Sequence, residues 1–211
     1  MTETTSATAT ATTEIIDNDN DKNDIPFKGT YNKFKIVSNW YNIIYIKDYE
    51  KRQINYLEIG TSYGANIILF ALTYGKHEHS KLYCIDPYKD YITNLDKEEE
   101  FKTFNENVKN NNLENKIFLT RGQSNEQIFK LYNYFFDIIF INGNPEAEFL
   151  LEDAVLAFRK LKLNGIMIFN DYFYNGFNSS KKAIDAFLNV YSNRCEFVAT
   201  QNHQIFIKKT K

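Results

Sequence analysis

The chain has 211 residues and a mass of 24.8 kDa, with 43% hydrophobic, 16% aromatic and 25% charged side chains. That is enough apolar material for one well-buried core, and it excludes a chain disordered throughout or a fibrous repeat. Its 25 basic residues nearly balance its 27 acidic ones, so no large basic field exists to attract nucleic acid by charge alone.

The imbalance of charge is local. Residues 1–24 carry six acids (Glu3, Glu14, Asp17, Asp19, Asp21, Asp24) against Lys22 and contain no aromatic residue. Such a segment cannot bury enough apolar surface to offset the entropy of ordering, and it is expected to be a disordered tail ahead of a single domain over residues 25–211. Alternating Asp17, Asp19 and Asp21 resemble the start of a calcium loop, but Lys22 stands where that loop needs glycine and Lys28 where it needs glutamate. The Thr/Ala/Ser-rich start has neither the apolar core of a secretory signal nor the arginines of a transit peptide. Apolar runs at residues 67–72 and 135–141 are far shorter than the ~20 residues of a membrane span. Cys84 and Cys195 belong to no CxxC or Cys/His cluster and are expected as reduced, buried thiols, which suits a cytoplasmic chain.

From Pro26 the composition turns aromatic and aliphatic, and residues 34–49 read as a helix leading into the domain. Short runs rich in β-branched and aromatic residues then predict strands at 54–59, 81–85, 116–120, 136–142 and 165–170. Their unbroken apolar character suits strands buried on both faces. Helical patterns separate them at 65–74, 96–111, 125–134 and 147–161. In the last, Ala147, Leu150, Leu151, Ala154, Val155, Phe158 and Leu161 form one apolar stripe. A further helix at 179–191 precedes two short strands, 195–200 and 203–208, that read as a terminal hairpin. Strand and helix in this alternation predict an α/β fold, a mostly parallel sheet with helices on both faces.

In open α/β sheets ligands bind beyond the carboxyl ends of the strands. After the first strand comes Leu57-Glu58-Ile59-Gly60-Thr61-Ser62-Tyr63-Gly64, a glycine-flanked loop entering a helix whose N-terminal amides can face an anion. A dinucleotide loop would place its middle glycine where Ser62 stands, so a nicotinamide cofactor is disfavoured. Glu58 would sit badly beside a pyrophosphate and well beside an ammonium group. After the second strand, Asp86 precedes Pro87-Tyr88; its carboxylate can accept from a ribose diol or cap a turn. Arg121-Gly122-Gln123-Ser124 follows the third strand, Asn142-Gly143-Asn144-Pro145 the fourth, and Asn170-Asp171-Tyr172 the fifth.

The series LEIGTSYG, CIDPY, RGQSNE, FDIIFINGNPE and LEDAVLAFRKLKLNGIMIFNDY, in this order, resembles the class I S-adenosylmethionine-dependent methyltransferases. Within them it is most similar to methyltransferase type 24, and the Asn-, Lys- and Ile-heavy composition resembles giant-virus members. The resemblance implies a Rossmann-like methyltransferase fold of seven strands with a reversed last hairpin. It also implies S-adenosylmethionine as cofactor, transfer to an oxygen of a small molecule or sugar, and location in the host cytoplasm or virion. It places Glu58, Gly60 and Gly64 around the methionine end, Asp86 at the ribose and Gln123 with Ser124 at the adenine; Ser62 and Asn142 complete the cofactor set.

Two departures fall where methyl transfer would occur. Relatives carry Asp-Gly-x-His after the fourth strand, where this chain has Asn142 and Pro145, and Asp-Asp-Tyr after the fifth, where it has Asn170. A hydroxyl is a poor nucleophile unless a base or metal removes its proton. Asp171 is the best remaining base, with Tyr172 and then His203 behind it, and Asn142 as a polar partner; His203 reads first as a hairpin residue. Asn142, Asn170 and Asp171 offer three oxygens with a single negative charge, a weak metal site, so no metal is assigned. The alternative function is a catalytically impaired cofactor-binding protein or interaction module. Neither nucleic acid nor membrane is an expected partner, and homo-oligomerisation is left open.

Overall fold

The computed structural model describes residues 25–29, 37, 39–173 and 178–211. The expected tail at residues 1–24, with its Asp17–Asp21 alternation, lies outside them. The centre of the molecule is a seven-stranded sheet in the order β3-β2-β1-β4-β5-β7-β6. Its strands are β1 (Asn55–Ile59), β2 (Lys81–Asp86), β3 (Ile117–Arg121), β4 (Phe136–Ile141), β5 (Leu161–Phe169), β6 (Cys195–Gln201) and β7 (Gln204–Lys209). The first five run parallel; β7 is antiparallel to both β5 and β6.

Period-2 alternation divides β1 between two cores. Tyr56 packs with Phe70, Trp40, Phe140 and Phe206 on one face, whereas Leu57 and Ile59 pack with Ile139, Met167, Phe158 and Phe187 on the other. Helix α1 (Ala65–Leu72) covers the first face, with α2 (Glu98–Asn110) beside it. On the second lie α3 (Ser124–Gln127), α4 (Ala147–Lys160) and α5 (Asn178–Tyr191). Because both faces are covered, all five β1 residues are buried, as the apolar run predicted.

Three expectations are corrected. Of the helix expected at 34–49, Val37 is helical, but residues 39–49 are not α-helix: they are turns with one 3-10 turn, Ile46–Asp48. Side chains remote in sequence capture carbonyls that a helix would use: the buried Tyr74 hydroxyl donates to Ile44 O (2.8 Å) and the half-buried Gln201 Nε2 to Asn39 O (2.8 Å). The helix at 125–134 stops after α3 and a 3-10 turn, Ile128–Lys130, because the chain turns extended at Leu131, whose carbonyl accepts from Lys160 Nζ (2.8 Å). The buried face of α4 is rotated from the expected stripe: Leu150, Asp153, Ala154, Ala157 and Phe158 are inside, while Leu151 and Val155 are only partly buried.

The terminal hairpin forms as expected, with Asn202 and His203 at φ 49° and 64° in its two-residue loop. Two left-handed residues match the twist of the flanking strands, which gives His203 a structural reason to stand there. Cys84 is buried and Cys195 half-buried, both as free thiols.

Candidate functional site

The carboxyl ends of β1, β2, β3 and β4 open on one cleft of about 490 Å³, within the ~300–1,000 Å³ of small-molecule sites. Gly60, Ser62, Asp86, Gln123, Ser124 and Asn142 line it, six of the residues singled out from the sequence. Ile59, Ile85 and Phe149 supply apolar wall.

The loop after β1 is shaped by its neighbours. Gly60 has φ 81°, and a Cβ there would stand 2.3 Å from the Asn142 carbonyl oxygen, so only glycine fits so close to the β4 end. Asp86 Oδ2 accepts from the amides of Thr61 and Ser62 (2.9 Å each), and Oδ1 accepts from the Tyr88 amide (2.8 Å). Both readings of Asp86 therefore describe it: it lines the cleft and it caps the Pro87 turn. Two loop amides that an anionic ligand could have used are occupied by this carboxylate. The Tyr88 hydroxyl donates to Ser62 O (2.9 Å), and burial with the Asp86 charge beside it raises the Tyr88 pKa, so the phenol stays protonated.

Residues 89–97 form the rim. Asp90 Oδ1 accepts from the amides of Ile92 (3.1 Å) and Thr93 (2.8 Å) and from the Thr93 hydroxyl (2.9 Å), folding a tight turn beside the opening. These bonds lower the Asp90 pKa. Lys89, Tyr91, Asn94 and Lys97 from this rim face the cleft.

Four predicted site residues lie elsewhere. Glu58 is 0% exposed and sits behind the wall, its Oε2 accepting from the Tyr56 hydroxyl (2.7 Å) and from Asn66 Nδ2 (2.7 Å). Gly64 starts α1 against Phe104, where a Cβ would meet the ring at 2.8 Å. Asp171, at φ 61°, and Tyr172 are not among the cleft-lining residues. The Tyr172 hydroxyl donates instead to Asp185 Oδ1 on α5 (2.7 Å), with Lys181 Nζ over its ring.

Asp153 was missed. It is 3% exposed, reaches the cleft wall under Gly143, and its carboxyl is pushed up to about 7 by burial, against which the Ser124 hydroxyl donates. One signal was legible: a lone acid three residues after Leu150, on the apolar side of its helix, needs a polar reason to be there.

Among the described residues, no group of three or more His, Cys, Asp or Glu is placed to hold a metal ion, and no helix is long and apolar enough to cross a membrane.

The comparisons agree with this arrangement. The profile of a methyltransferase domain family, type 24, matches residues 57–172. A search of curated proteins finds no match. Among solved structures, a protein from Corynebacterium glutamicum is similar at TM-score 0.61 and 13% identity, over 92% of this chain and 87% of that one. The O-methyltransferase from Bacillus cereus in complex with SAH is similar at TM-score 0.59 and 17% identity, over 89% and 93%. MycE methyltransferase from the mycinamycin biosynthetic pathway, in complex with Mg, SAH and mycinamycin VI, is similar at TM-score 0.53 and 16% identity, over 79% and 47%. The fold is that of the class I S-adenosylmethionine-dependent methyltransferases. The chain belongs to the methyltransferase domain family of type 24.

Proposed function

We propose that the chain transfers the methyl group of S-adenosylmethionine to an oxygen of a small molecule or sugar. One observation carries this reading: four adjacent strand ends gather Gly60, Asp86, Gln123, Ser124 and Asn142 around a single cleft of ligand size. The residues present suit the cofactor. Asp86 Oδ1 accepts one amide and keeps a lone pair for a ribose hydroxyl. Gln123 and Ser124 offer polar groups to an adenine edge, with Ile85 and Phe149 as apolar flanks. Gly60 and Ser62 leave room for the methionine end. Bound there, the cofactor supplies an electrophilic methyl carbon on sulfur.

What the chain itself contributes is alignment and exclusion of water, and alignment supplies much of the rate of an in-line displacement. The rim at residues 89–97 bounds the acceptor side. The base we assign is Asp171, which stands outside the cleft lining but follows Asn170, whose amide donates to the cleft residue Asn142 (2.8 Å); an acceptor extending from the cleft toward the end of β5 would meet it. The oxygen acceptor is supported by the Bacillus cereus O-methyltransferase, and a small-molecule acceptor by MycE, which holds mycinamycin VI.

A second reading, binding of the cofactor without turnover, is favoured by the engagement of the Tyr172 hydroxyl with Asp185 and by the neutral amides at Asn142 and Asn170. Calorimetry with S-adenosylmethionine, S-adenosylhomocysteine and NAD tests the first requirement: the two adenosyl ligands bind and NAD does not. Release of S-adenosylhomocysteine across a panel of hydroxylated metabolites separates the two readings. Binding of NAD alone would reject both.

A further inference from the structure

Three carboxamides stand in line between the core and the cleft. The Trp40 indole Nε1–H donates to Gln204 Oε1 (2.9 Å), Gln204 Nε2 donates to Asn170 Oδ1 (3.1 Å), and Asn170 Nδ2 donates to Asn142 Oδ1 (2.8 Å). Asn142 Nδ2 then donates to the carbonyl oxygen of Gly60 (3.3 Å). The line joins the segment before β1, strand β7, the ends of β5 and β4, and the cleft loop. Trp40 and Gln204 are 0% and 1% exposed, so water does not compete at the inner end.

Its polarity is determined from both ends. An indole N–H can only donate and a backbone carbonyl can only accept, so each amide between them has one satisfactory orientation. Turning any one of them sets nitrogen against nitrogen and oxygen against oxygen.

The same bonds bear on a divalent cation. Of the three oxygens that could face one, those of Asn142 and Asn170 each accept from a neighbouring amide, and only Asp171 carries charge. A hard cation favours anionic oxygens, and this donor set does not fit one.

We propose that Gln204 and Asn170 are positioning residues that act through Asn142 to hold the Gly60 loop in its cofactor-binding shape, this amide line standing where a divalent cation would otherwise organise the site. The proposal rests on the cofactor reading above. Trp40 is the only tryptophan of the chain, so its indole ¹H–¹⁵N resonance reports on the line without ambiguity.

The experiment titrates S-adenosylhomocysteine into the full chain and into Asn170→Ala and Asn170→Asp, following that resonance and the affinity by calorimetry. In the unaltered chain the resonance shifts on binding. In Asn170→Ala the shift is lost and affinity falls about tenfold. Asn170→Asp falls further, because a carboxylate that only accepts forces Asn142 to turn its oxygen toward the Gly60 carbonyl. Should Asn170→Asp not fold, Asn170→Ala alone decides. Manganese at millimolar concentration leaves the Trp40 resonance unbroadened.

A chain that binds neither adenosyl ligand overturns the cofactor reading and the positioning role with it. Normal binding by the unaltered chain, together with unchanged affinity in the Asn170 variants or an unmoved resonance, overturns the relay alone. Broadening by manganese overturns its substitution for a cation.

Discussion

Asp86 serves two masters, and the consequence is measurable. Its two oxygens accept three backbone amides, so substituting it disturbs the loop after β1 as well as any ribose contact. Asp86→Ala is expected to weaken cofactor binding, since each hydrogen bond to a charged group is worth about 1.5–3 kcal/mol. Asp86→Asn is expected to be no better, because its amide nitrogen would face a backbone N–H. Isothermal titration with S-adenosylhomocysteine checks both, and wild-type affinity in Asp86→Asn would contradict the double role. Asp153 gives a second residue-scale prediction. Its carboxyl titrates at about 7 in the folded chain against 3.8 ordinarily. The folded state holds the proton more tightly, so folding takes one up and stability declines as pH rises from about 4 to about 7. The loss reaches at most ~4 kcal/mol and is constant above that range. Asp153→Asn should flatten this slope and stabilise the chain at pH 8, read as urea midpoints at pH 5 and pH 8.

At the scale of elements, the end of α4 depends on a residue remote in sequence. Lys209 on β7 is 1% exposed and its Nζ donates to the carbonyls of Phe158 (2.7 Å) and Leu161 (2.9 Å), where α4 gives way to β5. The last carbonyls of a helix have no partner within it, and here a strand from the far end of the chain satisfies them. Burial lowers the Lys209 pKa to about 8. Lys209→Met keeps the length and removes both bonds, and each carbonyl left buried costs about 1–3 kcal/mol. The expected result is a lower thermal midpoint with cofactor affinity retained, because Lys209 does not line the cleft; an unchanged midpoint would show that water replaces the ammonium. The same scale shows why residues 125–134 do not continue as a helix. Lys160 takes the Leu131 carbonyl and Asn133 Oδ1, and that tertiary contact outweighs local propensity.

Over the whole molecule, the segment before β1 completes the first face of the sheet. Phe27, Val37, Trp40, Tyr41 and Ile44 are buried in the cluster that holds Tyr56, Phe70, Phe140 and Phe206. Trp40 packs edge-on to Phe140 and Phe70, with ring centroids 5.1 and 6.2 Å away. Trp40→Ala is expected to destabilise the entire domain by about 3–5 kcal/mol, seen as a single cooperative transition at lower denaturant. Trp40→Phe should cost less and isolate the loss of the indole donor to Gln204.

Much of this architecture was legible in residue order. Strands buried on both faces read as unbroken apolar runs, and glycine and acid at the strand ends marked the cleft, because burial and turn geometry act on neighbours in sequence. The part taken by Asp153 was decided only by packing, since rotating α4 by one position brings that acid inward to Ser124 beside the cleft. Glu58 and Tyr172 carried suitable chemistry in suitable motifs, yet tertiary partners direct them to Tyr56 and Asn66, and to Asp185. Gln204 had no local signal at all. Its importance arises from lying opposite both Trp40 and Asn170, and a hydrogen bond between residues 164 positions apart exists only once the chain has closed its sheet.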